Sequence, residues 1–128
     1  MKKVIRSDQV QVPAGPYSQG VISGDFVFAS GQFGTLPDGR LAGESIEEQT
    51  RQAIANLAAI AQAGGSDLTR AVKITVILAD DTPAIVKRMN EEYAKHLDPD
   101  FPGRTGFTAR LFKPGALIEI DGIFSIGD

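Results

Sequence analysis

Two periodicities alternate along this chain. Phe26, Phe28 and Ser30 alternate with Val27 and Ala29, a period of two that predicts a strand over 25–31. Ser23-Gly24 supplies a turn back to a preceding strand over 18–23, and Val4-Ile5 begins a short edge strand. Gly34 to Gly43, holding Pro37-Asp38-Gly39, reads as a surface loop. The period then changes. Ile46, Ala53, Ile54, Leu57, Ile60 and Ala61 fall on one helical stripe, Ser45 and Glu48 have capping-box spacing, and Gly64-Gly65 ends the segment. Ala71 to Leu78 is a strand in which Val72, Ile74, Val76 and Leu78 share a face. Thr82-Pro83 gives an N-cap and first-turn proline to a second helix, with Val86, Met89, Tyr93 and Leu97 as its buried stripe and Asn90 at its border. Two closing strands, from Arg104 to Leu111 and from Ala116 to Gly122, are expected to form a hairpin about the turn Phe112–Gly115.

The resulting order, β-β-β-α-β-α-β-β, predicts one α+β domain over 1–128, with a mixed six-stranded sheet and both helices on one face. The other face would then lie bare in a monomer, although Ile77 and Phe107 place apolar side chains there. At roughly 25 cal/mol per Å² of apolar area removed from water, such a face favours association. A closed symmetric oligomer hides it without growing a filament.

Composition narrows the chemistry. Apolar residues make up 42% and charged residues 23%, as in an ordinary soluble domain. With no cysteine, disulfides, thiol nucleophiles and thiolate metal sites are excluded. His96 is the single histidine, so a histidine-rich metal site is excluded too, and the residue reads as a solvated helix position. No dinucleotide or phosphate-cradling glycine motif occurs, and no cofactor is expected. The net charge of −3, with thirteen scattered Lys and Arg, argues against a nucleic-acid surface. No apolar run reaches membrane-spanning length, and charge returns after Val4-Ile5 too soon for a secretory core, so a cytoplasmic location is expected.

Two residues of the closing strands carry the strongest chemical signal. Arg104 opens one; its planar guanidinium suits a carboxylate held by two parallel hydrogen bonds, or equally a surface ion pair. Glu119 sits between Ile118 and Ile120 and faces away from them, either into solvent or into a site where burial raises its pKa. In the expected hairpin Thr108 lies opposite Glu119, and Arg104 shares the Glu119 face about 13 Å away along the strands. That spacing excludes an ion pair within the hairpin and leaves a shared cleft, or groups from a neighbouring chain. Tyr17 follows the fixed backbone of Gly15-Pro16, and Ser30-Gly31 offers a hydroxyl and backbone donors at a strand end.

Taken together, Gly15-Pro16-Tyr17-Ser18-Gln19, Ser30-Gly31-Gln32, Pro102-Gly103-Arg104-Thr105 and Ala116-Leu-Ile-Glu119-Ile-Asp121 resemble the RidA/YjgF family of reactive-intermediate deaminases, over nearly the whole chain. The resemblance implies a chorismate-mutase-like fold, a homotrimer with clefts between subunits, and a small carboxylate substrate. It implies hydrolysis of enamines and imines such as 2-aminoacrylate to 2-keto acids and ammonia. Arg104 matches the family's carboxylate anchor, Glu119 the water-positioning glutamate and Tyr17 a cleft-lining tyrosine; Ser30, Gly31 and Asn90 match further pocket positions. The chain departs from the family at Phe33-Gly34, where many members have Ile-Pro, at Gly106, often cysteine, and at Phe112 after Arg110-Leu111. Phe33 and Gly106 thus enter as pocket positions of altered type. A non-catalytic keto-acid-binding module and an RNA-cleaving activity remain as alternatives.

Overall fold

A computed structural model describes residues 1–127. Six strands form one mixed sheet: β1 (Lys3–Ile5), β2 (Gly20–Ser23), β3 (Phe26–Phe33), β4 (Ala71–Leu78), β5 (Gly103–Thr108) and β6 (Ile118–Ser125). Two helices, α1 (Ile46–Ala63) and α2 (Pro83–Ala94), pack on one face. The spatial order is β1-β2-β3-β6-β4-β5, antiparallel except for the β4–β5 pair.

The core follows the two periods. Val27 and Ala29 of β3, Ile74, Val76 and Leu78 of β4, and Ile118, Ile120 and Phe124 of β6 point to the helices and are buried. Against them lie Ile46, Ala53, Ile54, Leu57 and Ile60 of α1 and Met89 and Tyr93 of α2. The start of α1 is as expected: the Ser45 hydroxyl accepts from the Glu48 N–H, and Glu48 reaches back to the Ser45 N–H. At α2, Thr82 holds the N-cap position without a side-chain cap; Asp80 instead accepts from the Thr82 N–H at 2.8 Å.

The hairpin expectation fails. β5 and β6 are not neighbours, because β4 lies between them. The chain leaves β4, crosses through α2, and returns as a parallel edge strand, a βαβ unit. The turn at Lys113–Ala116 is real, with Gly115 at φ +83°. It serves a loop that carries the chain from the edge strand over to β6. Gln49, fully buried on α1, pins this loop: its Nε2 donates to the carbonyls of Gly43 and Gly115, and its Oε1 accepts from the Leu117 N–H at 2.7 Å. A second correction concerns Val72, which sits at a register shift between Ala71 and Lys73 and is exposed rather than sharing the face of Ile74.

The face away from the helices is open. Phe26, Phe28 and Phe107 expose 40%, 39% and 51% of their surface there, an apolar content that a solvated sheet face does not need.

Glu92, on the α1-facing side of α2, is buried and joins Arg51, Lys95 and His96. It accepts from Arg51 at 3.3 Å and Lys95 at 3.3 Å, and lies 2.6 Å from His96 Nε2. Burial alone would raise this carboxyl, but the hydrogen bonds from His96, Arg51 and Lys95 outweigh it and hold the pKa at about 2. His96 is therefore not the merely solvated residue its position suggested.

Candidate functional site

The separation of β5 from β6 decides where the two charged residues point. In the ladder Glu119 pairs with Ile77, and Arg104 pairs with Ile74. Paired residues share a face, and Ile74 and Ile77 lie an odd number of positions apart, so Arg104 and Glu119 lie on opposite faces of the sheet. Three residues along and two strands across put their Cα atoms about 14 Å apart. Within one chain they do not meet.

Glu119 belongs to the open face. Around it Tyr17, Ser30, Gly31 and Phe33 line a cavity of about 680 Å³, with Val12 and Pro13 on one side and Phe112 and Lys113 on the other. The cavity exists because β3 breaks its register between Ala29 and Gln32. In that bulge the Ser30 hydroxyl donates to the Ser18 carbonyl at 2.6 Å and the Ser30 N–H to the Gln19 carbonyl at 2.8 Å, so Ser30 ties the segment bearing Tyr17 to the strand. Gln19, buried, holds the same segment: its amide donates to the carbonyls of Ser7, Val10 and Gln11. Gly31 makes room for the carboxylate. A Cβ built there would sit 2.7 Å from Glu119 Oε2.

Burial, and then the neighbouring Asp121 carboxylate, push the Glu119 pKa above its ordinary value. Asp121 is itself raised by burial, against a Thr75 hydrogen bond and the Lys73 charge. A carboxyl poised this way, at the floor of a cavity, can hold a proton for transfer and take one from water.

Arg104 belongs to the helix face, at the edge. It shares a smaller cavity of about 320 Å³ with Asn90, Tyr93, Ala94, Phe101 and Pro102. Asn90 Oδ1 and the Tyr93 hydroxyl are buried there without a hydrogen-bond partner among the described residues. The sequence-derived residues therefore divide into two groups: Tyr17, Ser30, Gly31, Phe33 and Glu119 in one cavity, Asn90 and Arg104 in the other. Gly106 lines neither; it faces Val76, and an added Cβ would meet only the Val76 carbonyl at 3.7 Å, so crowding does not require glycine. At Gly34, by contrast, a Cβ would lie 2.4 Å from the Gln49 carbonyl, which explains glycine at that departure. Tyr93, Phe101 and Gln19 were missed as site residues because helical and turn positions of these types read as packing. Among the described residues no cluster of His, Asp and Glu could hold a metal ion, and no helix is long and apolar enough to cross a membrane.

This geometry has relatives. A family model described as Endoribonuclease L-PSP matches residues 8–126. Reactive Intermediate Deaminase A, chloroplastic, of Arabidopsis thaliana is 36% identical over 126 residues, 98% of this chain and 66% of that protein. The chain belongs to the RidA/YjgF family. The 2-iminobutanoate/2-iminopropanoate deaminase of Homo sapiens is another RidA-family relative, 33% identical over 124 residues, 96% of this chain and 89% of that protein. The crystal structure of RidA from the Antarctic bacterium Psychrobacter sp. superimposes with a TM-score of 0.89 at 31% identity, covering 97% of this chain and 99% of that one. The RidA fold is thus the six-stranded mixed sheet with two helices described above.

Proposed function

We infer that this chain hydrolyses 2-enamine and 2-imine acids to 2-keto acids and ammonia, in a cleft built from two copies. The observation that carries the reading is the Glu119 carboxyl, raised in pKa and seated over Gly31 in a cavity able to hold a small substrate. Deaminase names among the relatives support the same class of reaction.

The enamine first takes a proton from water at its β-carbon and gives one back from nitrogen, becoming the imine, whose C=N carbon is electrophilic. Glu119, protonated more readily than an ordinary carboxyl, gives a proton to the imine nitrogen. Its carboxylate then takes a proton from water as the oxygen bonds to that carbon. The resulting carbinolamine expels ammonia, and the carbonyl forms. The sum is imine plus water to keto acid plus ammonia, so this route consumes no oxidant or metal.

Arg104 anchors the substrate carboxylate, each charge-assisted hydrogen bond contributing about 1.5–3 kcal/mol. Because Arg104 and Glu119 lie on opposite faces, the anchor comes from a neighbouring chain. The apolar open face, with Phe26, Phe28 and Phe107, is what the neighbours cover, and a closed homotrimer satisfies it.

The test couples a threonine or serine dehydratase to this protein and follows keto-acid release. Release accelerates with the wild type, is lost in Arg104→Ala and falls strongly in Glu119→Gln. No acceleration alongside measurable keto-acid binding sinks the enzyme and leaves a binding module. Light scattering should give three times the 13.6 kDa chain mass; a monomer refutes the shared cleft.

A further inference from the structure

An anchoring arginine on an edge strand poses a physical problem. Arg104 is exposed and carries about 2 kcal/mol of rotamer entropy that binding must remove. One remedy is an ion pair, which three of the chain's seven arginines, Arg40, Arg51 and Arg88, have. Arg104 makes none among the described residues. Its guanidinium carbon instead lies 4.9 Å from the centroid of the Tyr93 ring.

The two remedies differ in what they leave free. A carboxylate partner occupies the N–H edge of the guanidinium, which is the edge a substrate carboxylate needs. An aromatic partner takes the flat face and leaves that edge open. Tyr93 is held rigidly enough for the task. It is 4% exposed, one helical turn beyond Asn90 on the inner side of α2, and its ring sits 6.4 Å from that of Phe101. Burial pushes its phenol pKa up, against the pull of the Arg104 charge and of an Arg104 N–H near the hydroxyl, so the ring stays neutral. By distance and angle the hydroxyl accepts no hydrogen bond among the described residues, and the N–H groups stay available.

We propose that Tyr93 is a positioning residue of this site: its ring is the platform that holds the Arg104 guanidinium with the N–H edge turned out for a carboxylate ligand. This rests on the deaminase reading and adds to it a residue that acts through Arg104. Fixing the anchor before binding strengthens the ground state and the transition state alike, so the effect falls on KM and not on kcat.

The probe is 2-oxobutanoate, titrated calorimetrically, alongside KM and kcat in the coupled assay. Tyr93→Phe keeps the ring and should match the wild type within about twofold, given the small energetic share of the lone hydroxyl. Tyr93→Leu should weaken keto-acid binding and raise KM by roughly two- to thirtyfold, the span of measured cation–π energies, with kcat unchanged. Since Tyr93→Leu also alters packing, a second series keeps ring size nearly constant: phenylalanine at position 93, then its mono-, di- and trifluorinated analogues. Stepwise loss of affinity with fluorination supports the platform, because fluorine drains the ring face that attracts the cation. A flat series in a protein that binds the keto acid overturns it and leaves Tyr93 as packing alone. A wild type that neither binds the keto acid nor speeds imine decay overturns the deaminase reading, and the platform with it.

Discussion

Gly31→Ala is the most informative single substitution in this protein. The position has no positive φ, so alanine introduces no backbone strain, and the effect is confined to its methyl group. That carbon would lie 2.7 Å from Glu119 Oε2, 3.0 Å from its Cδ and 3.2 Å from its Cγ. Ordinary contact begins at 3.4 Å, so the carboxylate must retreat by up to 0.7 Å. The obstacle is the far end of a side chain, so the retreat is easy and the fold survives it. Catalysis does not. A displacement near 1 Å at a reacting group costs about a hundredfold, so a decrease of about ten- to a hundredfold in kcat/KM is expected, or about 1.4–2.7 kcal/mol of transition-state stabilisation. The dehydratase-coupled assay measures it, with the thermal midpoint as a control that should move little. Gly31→Ala within twofold of wild type, in a protein that Glu119→Gln inactivates, would refute the claim that this glycine places the carboxylate.

Three further outcomes follow from the charges and the open face. A group whose folded pKa is raised loses stability as pH climbs through its unfolded value, here 4.5, so ionised Glu119 destabilises the fold at neutral pH. Glu119→Gln should therefore melt higher than wild type at pH 7, with the gap closing below pH 4.5. Glu92 has the opposite sign: its contribution is complete above 4.5 and fades as pH falls toward about 2. Glu92→Gln should flatten the acid limb of a denaturant-midpoint profile over that window; an unchanged limb would remove Glu92 from acid stability. Phe28→Asp puts a charge on the exposed apolar face and should lower both the mass in solution and the activity; an active protein of unchanged mass would exclude that face from assembly.

How much of this was legible in the sequence depends on which interactions are local. α1 was readable to the residue at its start, because Ser45 and Glu48 cap it through bonds three positions apart. The strands were readable as strands, since alternation at Val27, Ala29, Ile74 and Val76 reports burial on one face. Their neighbours were not. A period of two cannot tell a hairpin from a parallel crossover, and here the choice rests on contacts more than sixty residues apart, from Gln49 to Gly115 and Leu117. The facing of Arg104 was inferred from the hairpin and failed with it. Glu92 went unnoticed because a glutamate on a charged helix reads as solvated; the local hints were Lys95 and His96, three and four residues on.

A sheet that carries its glutamate on one face and its arginine on the other has a genetic consequence. If each cleft joins one face of a chain to the opposite face of the next, Arg104→Ala and Glu119→Gln damage different partners in the same cleft. Two impaired alleles then rescue each other when co-expressed. In a ring of three assembled at random, about one quarter of the clefts draw an intact glutamate from one mutant chain and an intact arginine from the other. On that arrangement half a site is inherited with each copy, and only company makes it whole.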